Sequence, residues 1–445
     1  MSFKIYRKEK KNNGRRNIYI LGIKVFSYKG KTKSTNEDLS FEEIKAIQEN
    51  YKIIEKNIAH KKLNGEKIKV AFLVSIASMF PAKPFFSFLR RQKDYDAKVI
   101  IIPDQRFGKE KAQKLQQECF ICLKEEFGED SLIMASLNEE KDNININNFA
   151  DILFMSLPYD VSYPKYSLRS VIKQGVLPCC VSYGFFRSMY DREKLVSSKT
   201  YALYWKVFSE TKYNQDEFNN FSLIKGENCV LTGYCKMDSY KDYENIKSDK
   251  KTILIAPHHS VDGGYNDVLA LSNFYRYSEL FLKLPDKYSN INFIFRPHPA
   301  LFLLLSNKKF WGDEKVKKYI SEMKSKKNVT YDESGNYFET FAKSDAIIQD
   351  CGSYLVEYFY TEKPQCYLLK QRGDIEGKFV ELGQKCLENC YVAYDEKAII
   401  DFIENVVIKG KDPKKQARIK FARQEVKVNY PNVSEKIFEY FEKKF

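Results

Sequence analysis

The sequence has no apolar run long enough to cross a membrane. A spanning helix needs about 20 consecutive apolar residues, and no such run occurs among the 445 residues. The first sixteen residues, MSFKIYRKEKKNNGRR, also lack the apolar core of a signal peptide. We therefore expect a cytoplasmic protein whose ten cysteines stay reduced.

The sequence also lacks the short motifs of several protein classes. No GxxxxGK[ST] motif occurs, which disfavours ATP-type phosphoryl transfer. No helix-turn-helix, RNA-binding aromatic motif or zinc finger is present, so nucleic acid is not an expected partner. Cys119 and Cys122 form a lone CxxC, but no second pair or nearby His completes a zinc site, and we expect no cofactor. A need for Mg²⁺ is left open.

Positive charge is concentrated at one end of the chain. The formal net charge is +15, and residues 1–33 contribute eleven Lys or Arg against the single acid Glu9. Such a segment, followed by the apolar run Ile18–Tyr28, suits an anionic membrane surface or an anionic polymer. A solvated tail is the alternative interpretation.

Short apolar runs alternate with helix-like stretches, which predicts an α/β protein with two doubly wound domains. A chain of this length suits two separate cores. Near-continuous apolar strands between helices are typical of parallel sheets covered on both faces. The strand candidates are Ile68–Ser75, Lys98–Pro103, Asp151–Leu157 and Pro178–Tyr183 in the first half, and Thr252–Ala256, Asn292–Arg296, Asn328–Tyr331, Ala346–Gln349, Gln365–Leu369 and Tyr391–Tyr394 in the second.

Three segments follow from this pattern. Residues 1–64 combine the basic segment with an amphipathic helix, which a capping box at Ser40–Glu43 opens. Residues 65–240 and 241–445 form the two Rossmann-like domains, and the polar segment Tyr240–Lys251 marks their junction.

Three of the four histidines follow predicted strands of the second half. His258 and His259 come directly after its first strand, and Arg296 and His298 come at the end of its second, in Arg296-Pro297-His298-Pro299. Ligands bind beyond the carboxyl ends of parallel strands, so both loops are expected to reach one crevice. A lone histidine is often a core residue, but an apolar core is a poor host for Arg296 and His298 together. The pattern therefore favours a binding site.

A further predicted strand ends at Asp350-Cys351-Gly352-Ser353, where a helix begins. Free backbone amides, a glycine that permits close approach and a serine hydroxyl suit a phosphate group. Glu357 lies one turn further on, where a carboxylate can accept hydrogen bonds from ribose hydroxyls. Ser353 can alternatively be only the cap of its own helix. Beside the histidine loops, these residues predict a donor-binding site.

The order of these motifs resembles the donor half of the CDP-glycerol glycerophosphotransferases, the teichoic-acid polymerase family. The resemblance consists of Ala256-Pro257, then Arg296-Pro297-His298-Pro299, then Asp350-x-x-Ser353-x-x-x-Glu357, and begins at Thr232-Gly233-Tyr234. It implies a GT-B fold, with the acceptor on the 65–240 side and the nucleotide donor on the 241–445 side. GT-B transferases that use CMP-sugars also pair an HP motif with a later serine motif. The cytidine nucleotide is therefore better supported than the transferred group.

Two positions depart from the family pattern. The family's first-half motif HGTPLK, whose histidine is taken as the catalytic base, has its nearest counterpart in Ser182–Phe186, which contains no histidine. In place of the arginine that often follows the family's AP motif stands His258-His259-Ser260. The base must then be a carboxylate at a strand end of the first half, and Asp160 and Asp104 are the candidates.

The expected reaction is transfer of a cytidine-activated group, such as glycerol phosphate from CDP-glycerol, to a bacterial surface glycan or a lipid-linked acceptor. His298, Arg296 and the Gly352–Ser353 helix end would stabilise the leaving phosphate. A glycosyltransferase that uses a CMP- or other nucleotide-sugar is the first alternative. A non-catalytic module that binds polymer or membrane is the second. We expect the protein to lie at the anionic inner face of the cell membrane.

Overall fold

The computed structural model describes residues 6–10, 15–20, 23–29, 39–157, 160–246, 248–261 and 270–445. The basic segment 1–33 lies partly outside these residues. Its described part forms a three-stranded antiparallel sheet, for which the sequence carried no prediction. The strands are β1 (Tyr6–Lys10), β2 (Arg15–Ile20) and β3 (Ile23–Lys29).

Helix α1 (Phe41–Leu63) begins at the predicted capping box. Ser40 Oγ accepts a hydrogen bond from the Glu43 N–H at 3.1 Å, and the Ser40 N–H donates to the Glu43 carboxylate at 2.6 Å. The apolar stripe of the helix is buried at Ile44, Tyr51 and Ile58. The Tyr51 hydroxyl donates to the carbonyl of Leu203, which fixes α1 on the first half.

The first half is built on a seven-stranded parallel sheet with the order β10-β9-β8-β7-β4-β5-β6. The chain therefore starts in the middle, winds outward on one side and returns to wind outward on the other, as in Rossmann folds. The strands are β4 (Ile68–Val74), β5 (Tyr95–Ile101), β6 (Leu132–Met134), β7 (Ile152–Met155), β8 (Leu177–Val181), β9 (Lys206–Ser209) and β10 (Cys229–Leu231).

The second half repeats the plan in a six-stranded parallel sheet with the order β13-β12-β11-β14-β15-β16. The central strands are buried at every residue, which explains their continuous apolar sequence. The strands are β11 (Thr252–Ala256), β12 (Asn292–Phe295), β13 (Val329–Tyr331), β14 (Ala346–Gln349), β15 (Gln365–Leu368) and β16 (Tyr391–Ala393).

Helices flank both sheets. Besides α1 they are α2 (Lys83–Leu89), α3 (Lys109–Phe127), α4 (Leu168–Lys173), α5 (Met189–Asp191), α6 (Lys199–Ala202), α7 (Lys212–Phe221), α8 (Phe274–Lys287), α9 (Ala300–Leu305), α10 (Gly312–Ser325), α11 (Phe338–Lys343), α12 (Gly352–Glu357), α13 (Asp374–Lys378), α14 (Glu381–Glu388), α15 (Glu396–Asp401), α16 (Lys415–Phe421) and α17 (Val433–Lys444). The fold is thus α/β with two doubly wound domains, as predicted.

The chain passes between the halves twice. The first crossing is the 3-10 segment Cys235–Asp242, and the second leads into α17. The Asp238 carboxylate joins the crossings, because it accepts hydrogen bonds from the N–H groups of Val433 at 3.1 Å and Ser434 at 2.7 Å. Helix α17 then packs on the first sheet, where the Phe441 ring lies among Phe85, Phe154, Trp205 and Phe208.

All ten predicted strands are present, with ends that differ by up to three residues. Strands β6, β9 and β10 of the first half were not predicted. They are only three or four residues long, and β6 and β10 form the two edges of their sheet. In the part of the chain that the structure describes, no helix combines the length and the apolar character that a membrane span needs.

Candidate active site

Three histidines form one cluster at the carboxyl end of the second sheet. His258 and His259 follow β11, and His298 follows the neighbouring strand β12. The His259 ring centroid lies 4.2 Å from that of His258 and 4.1 Å from that of His298, and the other two rings are 5.3 Å apart. The predicted meeting of the two loops is therefore present.

Hydrogen bonds set the proton positions on two of these rings. The Ala300 N–H donates to His298 Nδ1 at 3.1 Å. The Ser260 N–H donates to His258 Nδ1 at 3.3 Å, and the Ser260 hydroxyl, 2.7 Å from the same nitrogen, can donate to it as well. Because each Nδ1 accepts, the ring proton of both neutral imidazoles is on Nε2. His258 and His298 therefore each carry one remaining donor, Nε2–H.

The cluster is held neutral. Burial lowers the pKa of His298 to about 3, and the neighbouring His259 adds to the effect. Burial also lowers the pKa of His258 and His259, and for His258 the two other histidines and Arg187 act in the same direction. Buried N–H donors suit an anionic ligand, which would also raise the pKa values of the histidines.

The same cluster has the size of a metal site, since one nitrogen from each ring lies within 4.8 Å of the others. A metal ligand needs a free lone pair, and metal-bound imidazoles donate their second N–H to an acceptor. His258 and His298 have the opposite arrangement, because backbone or hydroxyl groups donate to Nδ1. The donor set fits an anion better than a cation.

Asp350 holds the histidine loop in place. The residue is fully buried, and its carboxylate accepts from the His258 N–H at 2.7 Å and from the Asn273 N–H. Burial raises the pKa of this carboxyl to about 7, in spite of the hydrogen bonds from the two backbone N–H groups. Asp350 was predicted to bind the donor, and in the structure its carboxylate has two backbone N–H partners.

The guanidinium of Arg296 is also engaged in hydrogen bonds within its own half. It donates to the Asp332 carboxylate at 2.5 Å, to the Ser334 hydroxyl at 3.1 Å and carbonyl at 2.7 Å, and to the Tyr354 hydroxyl at 3.2 Å. Four of its five N–H groups are thus used. Contact of Arg296 with a donor phosphate would require some of these bonds to break.

A cation from the other half, Arg187, lies against Gly352. Arg187 follows β8, and a Cβ atom added at Gly352 would collide with its guanidinium. Arg187 donates to Asp191 at 3.0 Å and to the Phe185 carbonyl at 3.2 Å, while its buried Nε has no partner among the described residues. Arg187 was not predicted, although it directly follows the Ser182–Phe186 stretch compared with HGTPLK.

Ser353 and Glu357 also lie where the halves meet. Ser353 Oγ is 3.6 Å from where a Cβ would sit on Gly184, which belongs to the first half. Glu357 is fully buried, and neither carboxylate oxygen has a hydrogen-bond partner among the described residues. Lys236, which the sequence did not single out, forms an ion pair with Glu357 at 3.6 Å and lies over the Tyr337 ring.

The two candidate bases have different surroundings. Asp104 is fully buried and forms a bidentate ion pair with Arg106, with 2.8 Å between Arg106 Nε and Asp104 Oδ1. Asp160 lies partly exposed at the edge of a small cavity, and partial burial raises the pKa of its carboxyl, against the effect of the Leu168 N–H. Of the two, Asp160 is free to take a proton.

No protein-family model and no curated protein sequence matches the chain. Solved structures do. The UDP-GlcNAc 2-epimerase of Neisseria meningitidis, bound to UDP-GlcNAc, is 16% identical with a TM-score of 0.54 over 85% of this chain and 100% of its own. The wall teichoic acid polymerase TagF is 13% identical with a TM-score of 0.53 over 85% of this chain and 90% of its own.

The chain has a GT-B-like fold. The structure of S. aureus MnaA with UDP agrees, with 14% identity and a TM-score of 0.53 over 85% of this chain and 98% of that one. At such identities the likeness concerns the fold. The resemblance of the sequence motifs to the glycerophosphotransferases is a separate argument about function.

Proposed function

We propose that this GT-B-like chain is a transferase that takes a cytidine-nucleotide-activated group, with glycerol phosphate from CDP-glycerol as the preferred case. The observation that carries the proposal is the neutral histidine cluster beside the Arg187–Gly352 contact, at the carboxyl ends of β11, β12 and β14. Open α/β sheets bind ligands at such strand ends. The cluster and Arg187 offer N–H donors, and those donors suit phosphate oxygens.

The proposed reaction uses these groups in fixed roles. The acceptor hydroxyl oxygen forms a bond to the donor phosphorus, the bond from that phosphorus to the bridging oxygen breaks, and CMP leaves with the bonding electrons. The hydroxyl proton passes to Asp160. His258, His298 and Arg187 donate to the leaving phosphate as its charge increases, so their hydrogen bonds strengthen in the transition state.

The remaining donor-side residues support this arrangement. Gly352 has no side chain, which leaves room for Arg187, and Asp350 keeps His258 in position. The two Glu357 oxygens, which have no hydrogen-bond partner among the described residues and one ion-pair partner in Lys236, are assigned to the ribose hydroxyls. Among similar structures, the meningococcal epimerase holds UDP-GlcNAc, and a TagF structure comes from a soak with CDPG.

The proposed acceptor is a bacterial surface glycan or a lipid-linked precursor of one, and the proposed site of action is the inner face of the cell membrane. The support is the charge of residues 1–33, with eleven basic residues against one acid. Each basic residue near an anionic surface contributes about 1 kcal/mol to binding.

A nucleotide screen by thermal shift tests the donor. CMP and CDP-glycerol are expected to raise the melting temperature more than AMP, GMP and UMP at equal concentration, because a ligand that binds only the folded state stabilises it. Release of CMP from CDP-glycerol tests turnover. Equal shifts with all four nucleotides would contradict cytidine selectivity, and a larger shift with UMP would favour a nucleotide-sugar transferase.

A further inference from the structure

A small cavity of about 30 Å³ lies at the carboxyl end of the first sheet. Ser75 reaches it from the end of β4, Met155 from β7, and Ile102 from the end of β5. In the sheet order, β4 stands where the chain switches from one side to the other, the position where open α/β sheets bind ligands.

Two hydroxyl groups at this cavity lack partners. Ser75 and Ser162 both line it, and neither Oγ has a hydrogen-bond partner among the described residues. Ser75 is only 5% exposed, so water at the protein surface does not serve it. Unsatisfied buried hydroxyls are uncommon because they lose hydrogen bonds on folding. These two hydroxyl groups could therefore form hydrogen bonds to a small polar ligand.

The lining restricts the chemistry of that ligand. The walls include the apolar side chains of Leu73, Met79, Ile102 and Met155, and no Lys, Arg or His is among the lining residues. Asp160 at the edge would repel an anion, so a phosphate or carboxylate does not fit. A water molecule needs about 10–15 Å³ measured in this way. The cavity therefore has room for two non-hydrogen atoms rather than a sugar ring.

We propose that this cavity binds the hydroxymethyl group of the acceptor, a primary alcohol of a polyol or sugar. Its CH₂ would contact the apolar walls, its oxygen would bond to Ser75 and Ser162 after a turn of their side chains, and its proton would face Asp160. The inference rests on the proposed function in taking the first half as the acceptor side. It adds that the acceptor reacts through a primary hydroxyl.

Hydrogen bonds from the neighbouring strand end fix the loop that carries Asp160 at the cavity. The Gln105 N–H donates to the Val161 carbonyl at 2.8 Å, and the Asp104 carboxylate caps the turn that begins with Gln105. Asp104 is thus a positioning residue for the cavity wall.

Saturation-transfer NMR with the full chain and glycerol as probe tests the proposal without donor or turnover. We expect a glycerol signal from the parent protein and none from myo-inositol, which has no primary alcohol. Ser75→Val fills the space and should lower the glycerol signal by about tenfold, the effect of losing one buried hydrogen bond. Ser162→Ala is a second, smaller change that should act in the same direction.

Ser87→Val is the matched control, because Ser87 lines a separate groove beside Lys83 and Glu126; its glycerol signal should equal the parent's. Equal glycerol signals from the parent and both cavity variants, an equal inositol signal, or no glycerol signal from the parent would each overturn the proposal, the last meaning that the cavity holds only water. Failure of the CMP thermal shift would instead contradict the proposed donor.

Discussion

The histidine cluster should make an unfavourable contribution to the stability of the fold below pH 6.5, opposed by the Asp350 carboxyl, whose raised pKa of about 7 lets the folded state take up a proton. Burial and mutual repulsion lower the folded-state pKa of His258, His259 and His298, the last to about 3. In the unfolded chain each titrates near 6.5. Above that pH the histidines are neutral in both the folded and the unfolded state, so they do not change the free energy of unfolding. As the pH falls, the histidines take up protons only in the unfolded state, so their contribution to the free energy of unfolding decreases.

The size of the effect follows from the two pKa values. Between pH 7 and pH 5.5, a histidine that stays neutral when folded, as His298 does, costs about 1.2 kcal/mol, and the lowered pKa values of His258 and His259 add to the loss. His298→Gln keeps a side chain of similar length that does not titrate. It should reduce the loss between these two pH values by about 1.2 kcal/mol.

Urea unfolding at pH 7 and pH 5.5 measures this difference for the parent and the variant. His60→Gln is the control, because His60 is exposed on α1 and outside the cluster; its loss should stay close to the parent's. An equal pH dependence in His298→Gln and the parent would refute the description of the cluster as buried and neutral.

Four further predictions concern turnover, stability and location. His298→Ala should lower CMP release by about a hundredfold or more with an unchanged melting temperature, and Ser353→Ala should cost less, because the backbone amides beside it remain. Asp160→Asn should abolish CMP release while CMP still binds in the thermal-shift assay. Asp104→Asn should instead lower stability by about 1.5–3 kcal/mol in urea unfolding, since the hydrogen bonds of Arg106 to a buried carboxylate become weaker bonds to a neutral amide. Removal of residues 1–33 should leave turnover nearly intact but weaken co-sedimentation with anionic vesicles at low salt.

Specific results would contradict these predictions. Parental CMP release by His298→Ala would make the HP motif structural and the assigned mechanism wrong. Turnover in Asp160→Asn together with its loss in a folded Asp104→Asn would exchange the roles of the two carboxylates. Unchanged vesicle binding after removal of residues 1–33 would place any membrane contact elsewhere.

The central strands β11 and β14 of the second sheet were predictable because burial on both faces of a sheet leaves a nearly continuous apolar run, as in Ile253–Ala256 and Ala346–Gln349. The edge strand Cys229–Leu231 was not, since it has three residues, all half-buried. A strand of that length carries no periodicity to detect.

The candidate site was predictable only where it depends on strand ends. The meeting of His258 and His298 follows from the adjacency of β11 and β12. The partners of Arg296 could not be foreseen, because Asp332 and Ser334 are 36 and 38 residues away along the chain. Arg187 was missed for a related reason: its contact with Gly352 depends on how one half faces the other.

The return of α17 to the first sheet has a consequence for synthesis. Phe441 lies 5.8 Å from Phe85, and the Phe445 ring stacks on Trp205 at 5.7 Å. The ribosome releases the chain in order, and domains generally begin to fold as they emerge. Here the aromatic face of the first sheet stays uncovered until residues 433–445 have been made. The half that is translated first is therefore completed last, and premature termination near the C-terminus would leave that face open to aggregation.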